Sequence, residues 1–323
     1  MIRGRGAFAL PLILVLIQCA AGPNGLMADE EVQVSAAETS IRANERSEST
    51  AKPVRVDVSS PVVILDSLIN AYPGRITSLE IRDGDWSVLI DGRAFYWAEG
   101  RMLPADELEN RDRYSKYSFR PNPPEVQPIR ELNPEERERL SKMIDRRETR
   151  QDARSPAFMT ALWGMEDFDS AEQTVIPIVF LGQRIRIHPN LEDVLASVEA
   201  DILAAAEADV QIGSWLANIR SAGAYNWREI AGSANRSLHS FGIAIDLVPG
   251  NYGGKQAYWR WARDFYEDWW AVPHEDRYQV PERVVSIFEE HGFTWGGKWF
   301  LFDQIHFEYR PELVYLGRLA RAD

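Results

Sequence analysis

Cysteine is almost absent from this chain of 323 residues, which contains only Cys19, close to the N-terminus. A protein cut after residue 21 would have no thiol, so disulfide bonds, thiolate metal sites and cysteine nucleophiles are excluded for the rest of the chain. An excess of positive charge is absent as well, because the formal net charge is -13. We therefore expect no nucleic-acid partner.

A hydrophobic run long enough to cross a membrane is also missing, since the apolar stretch at residues 7–17 is too short. This stretch follows two arginines and precedes the small residues 19–21, which is the order typical of a secretory signal peptide. We predict cleavage near residue 21 and an extracytoplasmic protein, in the periplasm or at the cell surface, with no membrane span in the mature chain. Lipid attachment at Cys19 is the alternative, although Gln18 fits a lipoprotein signal poorly.

The chain does have enough apolar residues for a packed core, because 45% of its residues are hydrophobic and 11 are tryptophan. Its length exceeds the usual size of one compact domain, so two folded units are expected. The predicted segments are a signal peptide at 1–21, a flexible linker at 22–61, a small β-rich unit at 62–125, a helical connector at 126–170 and a C-terminal domain at 171–323.

Local patterns predict an α+β fold. Three strand-like runs between residues 78 and 97 are separated by Asp83-Gly84 and Asp91-Gly92, which are hairpin-turn signals, so a β-meander is expected there. The C-terminal domain is expected to hold a small mixed or antiparallel sheet with flanking helices. Helices are predicted at 133–150, 190–208 and 282–291, strands at 175–181 and 184–188, and a helix with one buried aromatic face within 258–270.

Three residues form a potential metal site. His239 and Asp246 are separated by six residues, and a second histidine, His306, follows near the C-terminus. Two imidazole nitrogens and one carboxylate oxygen suit Zn²⁺ with a fourth position open to water, which is the arrangement of hydrolytic zinc sites. Asp303 is close enough to His306 in sequence to act on that water as a general base.

Strand alternation predicts how these side chains are presented. If residues 242–247 form a strand, Ile243, Ile245 and Leu247 face the core, while Gly242, Ala244 and Asp246 share an open face with room for a metal and a peptide. In the second predicted strand, at 302–309, His306 and Glu308 lie on one face. Glu308 can then orient a metal ligand through a hydrogen bond.

The residues Ser237-x-His239-x-x-Gly242-x-Ala244-x-Asp246 resemble the signature of the zinc D-alanyl-D-alanine carboxypeptidases, whose relatives include L-alanyl-D-glutamate endopeptidases. Their second motif, an acid followed three residues later by histidine, is similar to Asp303 and His306. The run Trp295-Gly-Gly-Lys-Trp299 also looks like the family's approach to this motif. The resemblance covers residues 176–311 and implies the fold shared by these peptidases and the Hedgehog signalling domain.

The resemblance implies one zinc ion bound by His239, Asp246 and His306, with Asp303 as the base, although several relatives have glutamate at that position. It also implies that Arg228 stabilises the developing oxyanion, which suits a fixed guanidinium. Arg220 is the alternative for this role.

The implied substrates are peptidoglycan stem peptides. D-alanyl-D-alanine carboxypeptidase is the leading activity, and L-alanyl-D-glutamate endopeptidase is the alternative. A zinc-stabilised cell-wall-binding module without catalysis is the rival from another class of protein.

Two further residues are candidates for substrate contact. Trp299 is expected to form a wall of the substrate site, and Ser237 either assists the substrate or makes a hydrogen bond within its loop. We interpret His188, His274 and His291 as structural. A monomer is expected, and the sequence assigns no role to the β-rich unit.

Overall fold

The computed structural model describes residues 56–322. The predicted signal peptide at 1–21, Cys19 and most of the predicted linker at 22–61 lie outside the described residues. Within the described part of the chain, no helix is long and apolar enough to cross a membrane.

Helices flank three small antiparallel sheets, so the predicted α+β class is confirmed. The helices are α1 Pro61–Ala71, α2 Pro134–Glu148, α3 Ala157–Trp163, α4 Phe168–Thr174, α5 Glu192–Ala208, α6 Val210–Ala217, α7 Trp259–Arg263, α8 Glu282–Glu290 and α9 Pro311–Leu319. The strands are β1 Ile76–Arg82, β2 Asp85–Ile90, β3 Arg93–Tyr96, β4 Leu103–Pro104, β5 Ile176–Phe180, β6 Gln183–Ile187, β7 Ile219–Gly223, β8 Ala244–Pro249, β9 Phe293–Trp295 and β10 His306–Tyr309.

The N-terminal sheet is the predicted meander, with strand order β1-β2-β3-β4. Its first two turns are Asp83-Gly84 and Asp91-Gly92, and all four residues have positive φ, as hairpin turns of the Asp-Gly type require. The sheet is preceded by α1, which the sequence did not predict. The β-branched start of this segment suggests a strand, but Pro61 at the first turn fixes a helical φ, and α1 buries Leu65 and Leu68.

The C-terminal sheet has the order β7-β8-β10-β9, and the separate hairpin β5-β6 turns at Gly182 as predicted. The predicted helices at 133–150, 190–208 and 282–291 correspond to α2, α5 and α8. The helix predicted within 258–270 is wrong in extent, because α7 ends at Arg263. The chain then turns through Asp264, so Trp259 and Trp269 are buried while Trp261 and Phe265 are exposed.

The described residues form one compact unit with a shared core. Leu68 of α1 and Phe95 of β3 belong to the same buried cluster as Phe288 of α8 and Phe307 of β10. A second cluster joins α2 to the aromatic segment around Trp259. The predicted segments at 62–125, 126–170 and 171–323 therefore share buried clusters.

Candidate metal centre

Two neighbouring strands and the turn before one of them bring His239, Asp246 and His306 together. In the antiparallel pair of β8 and β10, Asp246 lies directly opposite His306, so both side chains are on the same face of the sheet. His239 lies in the 3-10 helix Leu238–Phe241, just before β8. One ligand atom from each residue lies within 4.8 Å of the other two, although 60 residues of sequence separate Asp246 from His306.

The backbone fixes the orientation of His239, which is 2% exposed. Its Nδ1 lies 2.5 Å from the carbonyl oxygen of Ala224, so Nδ1 donates to that carbonyl and the ring directs Nε2 at Asp246. Nε2 lies 3.2 Å from Asp246 Oδ2 and, among residues 56–322, makes no hydrogen bond. A buried nitrogen held in this state is suited to bind a cation.

The turn before β8 is closed by Ser237 and Gly242. The Ser237 hydroxyl accepts a hydrogen bond from the backbone N–H of His239 (3.3 Å), so Ser237 helps to position a predicted ligand from inside the loop. Gly242 has a φ of 63°, and a Cβ on it would lie 2.6 Å from the backbone nitrogen of His188. The expectation that Gly242 leaves room for substrate is therefore wrong, since its space is filled by the end of β6.

The predicted core face of this segment agrees with the structure, as does the opposite orientation of Asp246, whereas the open surroundings predicted for Ala244 do not. Ile243, Ile245 and Leu247 are buried in the core, and Asp246 points the other way, with 26% of its side chain exposed. Ala244 is also fully buried, so the opening beside β8 is confined to the surroundings of Asp246.

The two neighbouring imidazoles keep the carboxylate of Asp246 ionised. Burial acts to raise its pKa, but the proximity of His239 and His306 holds the pKa of Asp246 well below its usual range. His306 Nδ1 lies 2.9 Å from Asp246 Oδ1. Burial lowers the pKa of His306, while Asp246 and Glu308 outweigh that effect and raise it to about 10. The group thus holds one carboxylate charge with imidazoles on both sides.

Glu308 lies beside the other nitrogen of His306, with Oε2 3.5 Å from Nε2. Burial acts to raise the pKa of Glu308, but His306 and Arg310 lower it below the ordinary value. An ionised carboxylate behind an imidazole is the usual means by which proteins orient a metal-binding histidine.

Asp303 lies in the loop before β10, close enough for the charges of His306 and Asp246 to affect it. Its backbone N–H donates to the carbonyl of Gly296 (3.0 Å), and a Cβ on Gly296 would lie 2.5 Å from the carbonyl oxygen of Asp303. Burial raises the pKa of Asp303 to about 6. Its buried Oδ1 has no hydrogen-bond partner within the described part of the chain, which is uncommon and marks a group available for chemistry.

The other predicted residues differ in their distance from this group. The ring of Trp299 lies 5.4 Å from the His306 ring, so it flanks the site. Arg228 is exposed, and its guanidinium lies 3.5 Å from the carbonyl oxygen of Glu229. Its backbone N–H donates to Ser240 in the turn that carries His239 (2.9 Å), so the backbone of Arg228 is joined to that turn while its side chain is exposed.

Sequence reasoning missed two tyrosines near the site. Burial, and then the charges of Asp303 and Asp246, raise the pKa of Tyr252. Tyr258 pairs through its backbone with Asp303, and burial followed by the Asp303 charge raises its pKa also. Both phenols stay protonated at neutral pH and can donate hydrogen bonds. No motif spacing identifies them, because only the fold places their segment beside Asp303.

The remaining histidines make hydrogen bonds away from the three ligands. The Nε2 atom of His188 lies 3.1 Å from the carbonyl oxygen of Trp163, and that of His274 lies 3.0 Å from the carbonyl of Gln127. His291 is 2.8 Å from Asp201. These contacts agree with the structural interpretation of all three.

Comparison with known proteins gives two family matches. Residues 231–309 match the family model described as D-alanyl-D-alanine carboxypeptidase, and this stretch contains His239, Asp246, Asp303 and His306. Residues 64–119 match a model described only as a domain of unknown function. No curated protein and no solved structure matches the chain. The first match supports a peptidase.

Proposed function

We propose that this protein is an exported zinc metallopeptidase that hydrolyses peptidoglycan stem peptides, with D-alanyl-D-alanine carboxypeptidase as the leading activity and the Hedgehog/DD-peptidase fold. The observation that carries the proposal is the convergence of His239, Asp246 and His306 near Asp303, whose buried Oδ1 has no hydrogen-bond partner among the described residues. The family match at residues 231–309 supports the choice of a carboxypeptidase. Export rests on the sequence of residues 1–21.

The donor set fits one zinc ion. Two imidazole nitrogens and one carboxylate oxygen are ligands of open, catalytic zinc sites rather than of closed structural ones. His239 presents a buried Nε2 that makes no hydrogen bond among the described residues, and Asp246 is kept ionised, so both can bind a cation. A zinc ion bound in this way supplies Lewis-acid chemistry and makes water more acidic.

The side chains around the ligands then divide the remaining tasks. Asp303 accepts a proton from the attacking water and returns it to the leaving amine, a role suited to a carboxyl group whose pKa burial raises to about 6. Glu308 keeps His306 in place, and Trp299 flanks the scissile bond. Arg228 supports the oxyanion, for which a guanidinium is chemically suited.

The proposal is tested by incubating the purified protein with peptidoglycan and identifying the released products by mass spectrometry. We expect release of D-alanine, its loss after the metal is removed with a chelator, and its return when zinc is added. Cleavage after L-alanine would instead identify an endopeptidase. A protein that binds zinc and releases nothing would be a non-catalytic cell-wall-binding module.

A further inference from the structure

A row of buried charged side chains leads away from His306 on the side opposite Asp246. Glu308 Oε1 lies 3.6 Å from Arg310 Nη1, and Arg310 Nε donates to Glu312 Oε1. At the far end, the hydroxyl of Tyr72 donates to Glu312 Oε2 (2.8 Å). The row therefore continues from the candidate metal centre to the end of α1.

These groups are buried deeply enough for their pairing to matter. Glu312 is 1% exposed and Tyr72 is 7% exposed, while the side chains of Glu308 and Arg310 are 14% and 13% exposed. Charges in such surroundings carry a large desolvation cost unless each has a partner. Because acidic and basic groups alternate along the row, a displacement at one end removes a partner from the next group.

The row crosses between two parts of the sequence. Glu308, Arg310 and Glu312 follow one another from β10 into the first turn of α9, whereas Tyr72 immediately follows α1. Helix α1 packs against α9, and Tyr72 lies within residues 64–119, the stretch that matches a domain of unknown function. Burial, and then the charge of Glu312, raise the pKa of Tyr72 well above its usual value, so its hydroxyl remains a donor.

We propose that the N-terminal segment completes the metal centre, with Tyr72 as a positioning residue that holds His306 through Glu312, Arg310 and Glu308. This inference rests on the metal site of the proposed function. The N-terminal segment then contributes to metal affinity without contacting the metal or the substrate. The N-terminal segment thus acts on the C-terminal part of the same chain and not on a separate protein.

The test compares Tyr72→Phe with Tyr96→Phe in the mature protein. Tyr96 lies in the N-terminal sheet, within the same stretch 64–119 as Tyr72, and its hydroxyl also donates to a carboxylate, Asp83 Oδ2 at 2.9 Å, but it lies outside the row. The dissociation constant for zinc is measured by competition with a chromogenic chelator. The absorption spectrum of the cobalt-substituted protein reports the ligand geometry, and thermal unfolding of the metal-free protein reports stability.

We expect Tyr72→Phe to weaken zinc binding about threefold to tenfold, less than the roughly 10–100-fold typical of a direct partner of a ligand such as Glu308. The cobalt spectrum should change as well, whereas Tyr96→Phe should leave both measurements unchanged. Should Tyr72→Phe fail to fold, Glu312→Gln, which keeps an acceptor for Tyr72 but loses the charge facing Arg310, is expected to weaken zinc binding in the same way.

The inference is overturned if Tyr72→Phe, or Glu312→Gln in its place, binds zinc as tightly as the unaltered protein. It is also overturned if Tyr96→Phe weakens binding equally, since the effect would then be general destabilisation. Because metal affinity is measured without substrate, a protein that binds zinc but cleaves no stem peptide contradicts the proposed function alone.

Discussion

The imidazole of His239 is held from two directions: Nδ1 donates to the carbonyl of Ala224, and Ser237 closes the turn that carries it. His306 is held between Asp246 and Glu308 in a similar way. In both cases one nitrogen is occupied by an orienting partner, and the other faces Asp246. The orientation of both rings is therefore fixed before a metal binds. Because the pKa of His306 is raised to about 10, its imidazole must release a proton when the metal binds.

At the same scale, we expect Asp303→Asn to lower kcat by about 10²–10⁴-fold, because an amide cannot accept the proton from water. Zinc affinity should be retained, since Asp303 is not among the three proposed ligands. Turnover of a stem pentapeptide and zinc content are measured on the same preparation. Asp201→Asn, which removes a carboxylate on α5 that pairs with His291, serves as the control and should keep full activity. An Asp303→Asn protein with bound zinc and normal turnover would exclude Asp303 as the base.

Between β9 and the loop of Asp303, a short 3-10 helix, Gly296–Lys298, is hydrogen-bonded to a proline-rich connector at residues 120–125. Lys298 Nζ donates to the carbonyl oxygens of Pro123 (3.0 Å) and Pro124 (2.8 Å). It also pairs with Glu289 of α8 at 2.7 Å, and its side chain is only 5% exposed. The connector thus fixes the loop from which Trp299 and Asp303 project.

For this element we expect Lys298→Met to lower the free energy of unfolding by about 1–3 kcal/mol. The change leaves the half-buried carboxylate of Glu289 without its cation and the carbonyl groups of Pro123 and Pro124 without this donor. Urea denaturation provides the measurement. Lys142→Met, which removes an exposed lysine paired with Glu138 on α2, is the control and should change stability little. Adding Glu289→Gln to Lys298→Met should recover part of the loss. Unchanged stability in Lys298→Met would show that this clamp does not hold the connector.

Over the whole molecule, the N-terminal and C-terminal parts of the described chain share a core rather than only an interface. Ile64, Leu65 and Leu68 of α1, together with Phe95 of the meander, belong to the cluster that contains Phe307 of β10. Burying each such side chain contributes roughly 1.5–3 kcal/mol. The sum over α1 and the meander is comparable with the roughly 5–15 kcal/mol that stabilises a typical domain.

We therefore expect a protein that begins at residue 126 to lose cooperative unfolding and zinc binding together. A protein that begins at Val56 should keep both, because it retains every residue of the shared cluster. Thermal unfolding followed by near-ultraviolet circular dichroism distinguishes the two. A cooperative transition in the shorter protein would show that the C-terminal part folds independently.

Short-range patterns in the sequence predicted the turns of the meander, the buried face of β8 and the two motifs that contain the candidate ligands, His239 with Asp246 and Asp303 with His306. These features depend on residues a few positions apart, where strand alternation and turn chemistry act directly. Helix α1 was missed because its β-branched residues favour a strand, and its packing against α9 outweighs that preference.

Only the tertiary structure decided the features that depend on distant pairs. The register that places Asp246 opposite His306 joins strands separated by more than fifty residues, and the contact between Tyr72 and Glu312 spans 240. Likewise, a side chain at Gly242 would collide with the backbone at the end of β6, so this glycine does not make room for substrate. The sequence by itself determined which side chains can bind a metal. Packing determined which residues orient those side chains, because a buried charge needs a partner and only the tertiary structure decides which residue lies close enough to be that partner.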